Sequence, residues 1–197
     1  MSFFDRFRKP SSPPPVEEAP SKDAIVPIVL DAPSMARQES LAGKRLARRH
    51  LCADLWTVYA TAPPPKETWL TEERMLALAM SASELHTLAL ANLEARLPGV
   101  QRHGDGGAEL LACGGGFETS LLLFSETWEA IAEDLSGDVV ACVPARDRVI
   151  FTGSAVPGGV ERVRAAARKI VETHPEPVSA TLLRWTGEGW APWPSSP

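Results

Sequence analysis

The chain has 197 residues, enough for one domain of ordinary size with short tails, and 44% of them are hydrophobic, enough to form a core. Twenty basic and 25 acidic residues give a net charge of -5 and an isoelectric point near 5.4. Because nucleic-acid binding needs a basic surface, this balance argues against a nucleic-acid partner.

The N-terminal residues 1–22 are predicted to be a disordered tail, since their proline, serine and small acidic content cannot build a packed core. Phe3, Phe4 and Phe7 stand beside basic residues at its tip. An alternative interpretation is a short amphipathic segment that makes weak contact with a membrane surface or a partner groove. Residues 194–197 are expected to form a short C-terminal tail.

The first predicted strand is Ala24–Leu30, where Pro27 favours a sheet edge because proline donates no hydrogen bond to the ladder. A basic cluster follows, Arg37 to Arg49, and is interpreted as a solvated charged face, although a functional role stays open. A second strand is predicted over Leu51–Ala60 from its β-branched and aromatic residues.

Two helices are predicted next, over residues 71–80 and 82–97. Thr71 followed by acidic residues is typical of a helix start. Ser81 and Glu84 have the spacing of a capping box, which favours a separate second helix rather than one continuous helix.

The second half of the chain carries a central hairpin, residues 139–152, whose apolar runs Val139–Val143 and Val149–Phe151 predict neighbouring strands in the middle of a sheet. The turn between them is predicted to span five residues, 144–148. The elements that flank the hairpin are predicted from their periodicity. They are a strand over 109–113, amphipathic helices over 121–135 and 157–171, and a last strand over 178–186.

This order of elements mixes hairpins with helices and predicts one α+β domain over residues 23–193, with helices packed on a mostly antiparallel sheet. Cys52, Cys113 and Cys142 lack metal-ligand spacing and are expected to be reduced, buried thiols. No apolar run approaches the roughly 20 residues needed to span a bilayer, and no signal-peptide pattern is present. The expected compartment is therefore the cytoplasm.

Three segments together resemble the bacterial YtpQ-like family, an uncharacterised domain family. They are Leu88–Leu93, Gly116–Leu123 and Gly137–Asp147, in that order and spacing. The resemblance extends from about Ala24 to Trp190 and implies a cytoplasmic bacterial α+β domain. It implies no established activity or cofactor.

Arg146 and Asp147 are candidate binding residues at the tip of the central hairpin, where a guanidinium and a carboxylate could bind a partner's charged group. The alternative is that Asp147 bonds turn amides and Arg146 ties the loop to the domain.

A glycine turn, Gly114–Gly116, precedes a predicted helix and could present backbone N–H groups to an anion. Gly115 and Gly116 are candidates for this role, with Glu118 and Ser120 following. No P-loop lysine follows, and the spacing of a nucleophile elbow is absent. A tight strand-to-helix connection is the favoured alternative.

Asn92 lies in an apolar helical stretch and is interpreted as a structural tie to a neighbouring loop, with binding as the alternative. Trp185, Trp190 and Trp193 could form a binding surface or pack over the core edge. No catalytic set or metal spacing is found, so neither catalytic residues nor a cofactor are predicted.

The leading hypothesis is a non-enzymatic module that binds an unknown protein partner through one of these surfaces. The alternative is a small-ligand binder or enzyme with a pocket between the Gly114–Ser120 turn and the Arg146–Asp147 loop, close to Asn92.

Overall fold

The computed structural model describes residues 21–61, 68–97, 99–104, 107–114 and 116–194. Two antiparallel sheets and several helices form an α+β fold, as the order of elements predicts. Residues 1–20, with Phe3, Phe4 and Phe7, the candidate Gly115 and residues 195–197 lie outside the described residues. The predicted tail ends earlier than residue 22, because Lys22–Ala24 forms a 3-10 helix.

The smaller sheet has three strands, β1 (Val26–Asp31), β2 (Arg48–Cys52) and β3 (Leu55–Ala60), in the order β1-β3-β2. Pro27 is therefore on an edge strand, as predicted. The predicted single strand 51–60 is wrong. It is a hairpin that turns at Ala53, which adopts a left-handed conformation, and its first strand begins inside the basic cluster.

The larger sheet has six strands in the order β4-β5-β7-β6-β8-β9. In chain order they are β4 (Gln101–Gly104), β5 (Glu109–Ala112), β6 (Val139–Ala145), β7 (Arg148–Gly153), β8 (Leu183–Trp185) and β9 (Trp190–Pro192). The central hairpin β6–β7 lies in the middle, as predicted, and every residue of β6 is buried. Its turn is shorter than predicted, because β6 continues to Ala145 through an irregularity after Cys142.

Two of these strands depart from the sequence-based expectation. The edge strand β4 is not expected from the sequence, because its four residues are all exposed and so show no apolar alternation. Of the last predicted strand, 178–186, only Leu183–Trp185 forms a strand, β8, and β9 follows it as a separate strand.

The helices are α1 (Ala32–Ala42), α2 (Glu72–Ala77), α3 (Ala82–Glu94), α4 (Ser125–Asp134) and α5 (Gly159–Thr173). α2 and α3 are separate and start where predicted, and the capping box of Ser81 and Glu84 is formed at α3. The predicted helix over 121–135 is divided at Phe124 into a 3-10 helix, Glu118–Leu123, and α4.

Helix α1 was not expected from the sequence. The Asp31 carboxylate accepts a hydrogen bond from the Ser34 amide at its start, and Gly43 ends it in a left-handed conformation. Met35 is its one buried residue, so its apolar periodicity is weak.

A shared core joins the two sheets. One hydrophobic cluster contains Val29 and Leu55 of the smaller sheet, Val143 and Phe151 of the larger sheet, and Trp128 of α4. α5 packs on the opposite face of the larger sheet, where Val163 and Ala167 belong to a second cluster with Val140 and Cys142 of β6. All three cysteines are buried, and no disulfide joins any two of them.

Candidate functional site

The glycine turn is occupied by the protein's own carboxylate. Oε1 of the buried Glu118 accepts hydrogen bonds from the backbone N–H of Cys113 at 3.2 Å and of Gly114 at 2.9 Å. Gly116 has a φ of +71°, which favours glycine in this tight connection. These two N–H groups, which an anionic ligand would need, already have an acceptor.

Ser120 and Asn92 both bind the backbone near the start of β1. The Ser120 hydroxyl is fully buried and donates to the Pro27 carbonyl at 2.9 Å. The Asn92 amide donates to the carbonyl oxygens of Lys22 and Ile25, each at 2.8 Å. These contacts fasten the smaller sheet to the 3-10 helix and to α3.

The Arg146–Asp147 turn contacts the segment that follows α5. The Arg146 amide donates to the Glu176 carbonyl at 3.2 Å, and its guanidinium lies 4.0 Å from the Glu176 carboxylate. Asp147 Oδ1 lies 3.2 Å from His174 Nε2 and 3.5 Å from Arg148 Nε. The turn is thereby tied to the domain.

The glycine turn and the Arg146–Asp147 turn lie at the same end of the larger sheet. Leu111 of β5 pairs with Val149 of β7, so the end of β5 is beside the start of β7. Asn92, however, makes its contacts near the start of β1. Neither turn lines any of the clefts described below.

The C-terminal tryptophans pack inward. The Trp190 ring makes edge contacts with Trp128 at 4.8 Å and with Trp185 at 5.3 Å between ring centroids. Its indole N–H donates to the Leu122 carbonyl at 2.8 Å. Trp193 packs against the cluster under α5. Much of the surface of these tryptophan rings therefore packs against other residues of the protein.

A cleft of about 360 Å³ opens between the two sheets, and we call it the inter-sheet cleft. Arg49 and His50 reach it from β2 and His86 from α3, while Glu188 and Trp190 line it from the β8–β9 region. Clefts between structural layers with a few convergent polar groups are typical ligand sites.

His86, which lines this cleft, forms a hydrogen-bonded pair with the buried Tyr59. The Tyr59 hydroxyl lies 3.1 Å from His86 Nδ1. Burial raises the pKa of Tyr59 to about 12. Burial also lowers the pKa of His86, and the positive charge of Arg49 lowers it further. At neutral pH both groups are uncharged, and the phenol holds the imidazole ring in place.

Arg49 differs from its neighbours in the basic cluster. Arg48 pairs with Glu39 at 3.1 Å, Lys44 with Glu73 at 2.8 Å, and Arg45 lies 3.9 Å from Glu72. Within the described ranges, Arg49 has no acidic side chain in ion-pair contact. The interpretation of the cluster as a solvated face therefore includes neither its ion pairs with Glu39, Glu72 and Glu73 nor a guanidinium at the cleft.

His50 is oriented by its surroundings. Its Nε2 lies 2.9 Å from the Ala53 carbonyl, which accepts a hydrogen bond from it, and its ring contacts Trp56 edge-on at 4.9 Å. With Nε2 used as a donor, Nδ1 is left as the acceptor of the neutral ring. Among the described residues that line the cleft there are thus two imidazoles, one guanidinium and one carboxylate, that of Glu188.

Sequence reasoning missed this site. The histidines stand in no recognisable motif, and the cleft residues come from segments separated by as many as 141 positions along the chain, from Arg49 to Trp190. The basic cluster was the one local signal, and it does not distinguish Arg49 from Arg48.

The class of protein that the fold defines is an α+β protein with two antiparallel sheets around a shared core. The sequence matches no family model, and the searches of curated proteins and of solved structures found no significant match. The resemblance to the YtpQ-like family therefore stays a prediction.

Two features are absent from the described residues. No helix among them has the length and apolar character needed to cross a membrane. Within those same ranges, no three histidine, cysteine, aspartate or glutamate side chains lie close enough together to hold a metal ion.

The lowered pKa of His86 predicts an acid-sensitive contribution to stability. The unfolded chain takes up a proton near pH 6.5, whereas the folded chain takes it up only at lower pH. Folding stability is therefore lost as the pH falls from about 6.5 through the folded pKa. We expect wild type to lose more free energy of unfolding than His86→Gln between pH 7.5 and 5, measured by urea denaturation.

The matched control is His103→Gln, because His103 is exposed on β4. This variant should keep the acid sensitivity of wild type. Equal acid sensitivity of His86→Gln and wild type would contradict the prediction.

Proposed function

We propose that this protein binds a small anionic ligand, such as a phosphate- or carboxylate-bearing metabolite, in the inter-sheet cleft. The observation that carries the proposal is the convergence of Arg49 and His86 on one cleft, where Glu188 is the one carboxylate among the described lining residues. The Arg49 guanidinium donates charge-assisted hydrogen bonds to phosphate and carboxylate oxygens, and His86 can donate one through Nε2 while its Nδ1 accepts from Tyr59. The proposed compartment is the cytoplasm, supported by three buried cysteines that form no disulfide with one another.

The apolar walls of the cleft favour a ligand with a hydrocarbon or aromatic part. Leu122, Leu123 and Trp190 lie along the same cleft as the polar side chains. A volume of about 360 Å³ falls within the range of small-molecule sites. We assign binding and no reaction, because the Tyr59 hydroxyl paired with His86 is not an activated nucleophile: burial raises its pKa to about 12.

Ligand binding in the cleft is favoured over the hypothesis of a protein partner, because the three surfaces that the sequence suggested for a partner make contacts within the protein itself. The Arg146–Asp147 turn contacts Glu176 and His174, the glycine turn is held by Glu118, and Trp190 packs on Trp128.

A thermal-shift screen of the full chain against nucleotides, sugar phosphates and organic acids tests the proposal. A ligand present at about 100 times its Kd stabilises the protein by about 2.7 kcal/mol, which raises Tm by about 5–10 °C. In Arg49→Ala we expect the affinity for the same ligand to fall by about 10–100-fold, because a charge-assisted hydrogen bond is lost. His86→Gln should also weaken binding.

Two matched variants complete the screen. Arg37→Ala removes an exposed arginine of the same basic cluster on α1 and should leave affinity unchanged. Arg146→Ala tests the pocket expected from the sequence. If binding is insensitive to Arg49→Ala and lost in Arg146→Ala, the ligand does not use the inter-sheet cleft.

A further inference from the structure

An apolar groove of about 420 Å³ lies between the C-terminal part of α3 and the junction of the 3-10 helix with α4. We call it the α3–α4 groove. Leu90, Leu97, Leu123 and Phe124 line it and are only half-buried, and Val100 on its wall is 40% exposed. Partly exposed apolar side chains gathered in one groove, unlike single ones scattered on a surface, are typical of a docking site.

The rim of the groove is acidic. Glu94 and Glu126 line it, and both side chains are exposed. Neither has a basic side chain in ion-pair contact within the described part of the chain. The groove is therefore complementary to a segment that combines large apolar side chains with positive charge.

The N-terminal segment of this same chain has that composition. Residues 1–9 read MSFFDRFRK, with three phenylalanines at positions 3, 4 and 7 and three basic residues against one acidic residue. The spacing of Phe3, Phe4 and Phe7 is that of one face of a helical turn. Apolar anchors at this spacing are typical of segments that dock in a groove beside helices.

The chain enters the described structure beside the same helix. Asn92 and Arg96, near the end of α3, donate hydrogen bonds to the carbonyl oxygens of Lys22, Asp23 and Ala24. The twelve residues from 10 to 21 can extend over about 40 Å, while a helix with its side chains is about 10–12 Å wide. Residues 1–9 can therefore reach the groove on the far flank of α3 without strain.

We infer that residues 1–9 of this chain dock in the α3–α4 groove, with the phenylalanine rings on its apolar floor and the basic side chains near Glu94 and Glu126. The short tether holds the segment at an effective concentration in the millimolar range, which favours this occupant over a second copy in dilute solution. Leu123 and Ser125 line both the groove and the inter-sheet cleft, so the docked segment borders the ligand site.

Photo-crosslinking of the full chain tests this inference without reference to any ligand. The substitution Phe4→p-benzoylphenylalanine introduces a photoreactive side chain, and the cross-linked peptides are mapped by mass spectrometry. We expect cross-links within one chain to residues 90–100 and 121–127. The double variant Glu94→Lys with Glu126→Lys should lower their yield severalfold, because two attractive charges become repulsive.

The matched control is Glu133→Lys with Glu172→Lys, which makes the same change of net charge at two exposed positions outside the groove. Its cross-linking yield should equal that of the parent chain. Phe3→Ser with Phe7→Ser, which leaves the described residues unaltered, should abolish the cross-links.

Several outcomes would overturn the inference. Cross-links to another region of the same chain or between two chains would assign the segment to a different surface. Equal losses of cross-linking yield in the two double charge variants would also overturn the inference. So would the absence of any cross-link to protein. Binding of the segment to phosphatidylserine vesicles in place of the groove cross-links would support the membrane-surface interpretation instead.

Discussion

Replacing Trp128 by alanine is expected to lower the free energy of unfolding by about 3–5 kcal/mol. The Trp128 side chain is fully buried in the core between the sheets, and its ring contacts Phe151 and Trp190 edge-on at 5.8 and 4.8 Å. Its indole N–H donates to the Leu121 carbonyl at 2.8 Å. The variant leaves a large cavity and a buried carbonyl without this donor, and both effects destabilise the fold.

The measurement is urea denaturation followed by far-ultraviolet circular dichroism, since the substitution changes the tryptophan fluorescence. Trp128→Phe keeps an aromatic ring in the core and loses the indole donor, so its loss of stability should be markedly smaller. A loss in Trp128→Ala no larger than that of an ordinary surface substitution, about 0.5 kcal/mol, would contradict the central position of this side chain.

Gly153→Ala is expected to lower the free energy of unfolding by about 3 kcal/mol, although it adds one methyl group. A Cβ atom at Gly153 would overlap the backbone carbonyl oxygen of Ser136 and lie 3.1 Å from the Ser136 amide nitrogen. The two segments cannot move apart freely, because the Ala155 amide donates to that Ser136 oxygen and the Ser154 amide to the Asp138 carbonyl. The added methyl group must therefore break hydrogen bonds beside the central hairpin.

Gly189→Ala is the matched control for this prediction. A Cβ atom at Gly189 meets nothing within 4 Å, and its backbone is outside the left-handed region. This variant should leave stability unchanged or raise it by up to about 1 kcal/mol, because alanine restricts the unfolded chain. Equal thermal unfolding of Gly153→Ala and Gly189→Ala would contradict the close approach of Gly153 to Ser136.

The candidate residues chosen from the sequence illustrate why polar residues in turns are ambiguous. Glu118 accepts hydrogen bonds from the glycine turn, Ser120 donates to Pro27, and Arg146 is tied to Glu176. The sequence marked these positions as unusual but could not show whether their polar groups face a ligand or the protein itself. That distinction depends on which backbone groups the fold brings within hydrogen-bond distance.

The sequence by itself determined the elements with strong local signals. The apolar runs of the central hairpin, the capping box of α3 and the apolar face of α5 are each encoded within about 15 residues, and all three are formed. Pro27 marked its strand as an edge strand because proline lacks the N–H that an inner strand must donate. These signals were sufficient for the α+β class.

Only the tertiary structure decided the elements and sites that depend on distant partners. α1 buries one residue, Met35, and β4 buries none, so neither has a periodic pattern to read. The inter-sheet cleft exists because the smaller sheet packs against the β8–β9 side of the larger one, which brings Arg49 and His86 to Glu188. No local pattern encodes such a contact, because it arises from the burial of apolar surface between segments far apart in the chain.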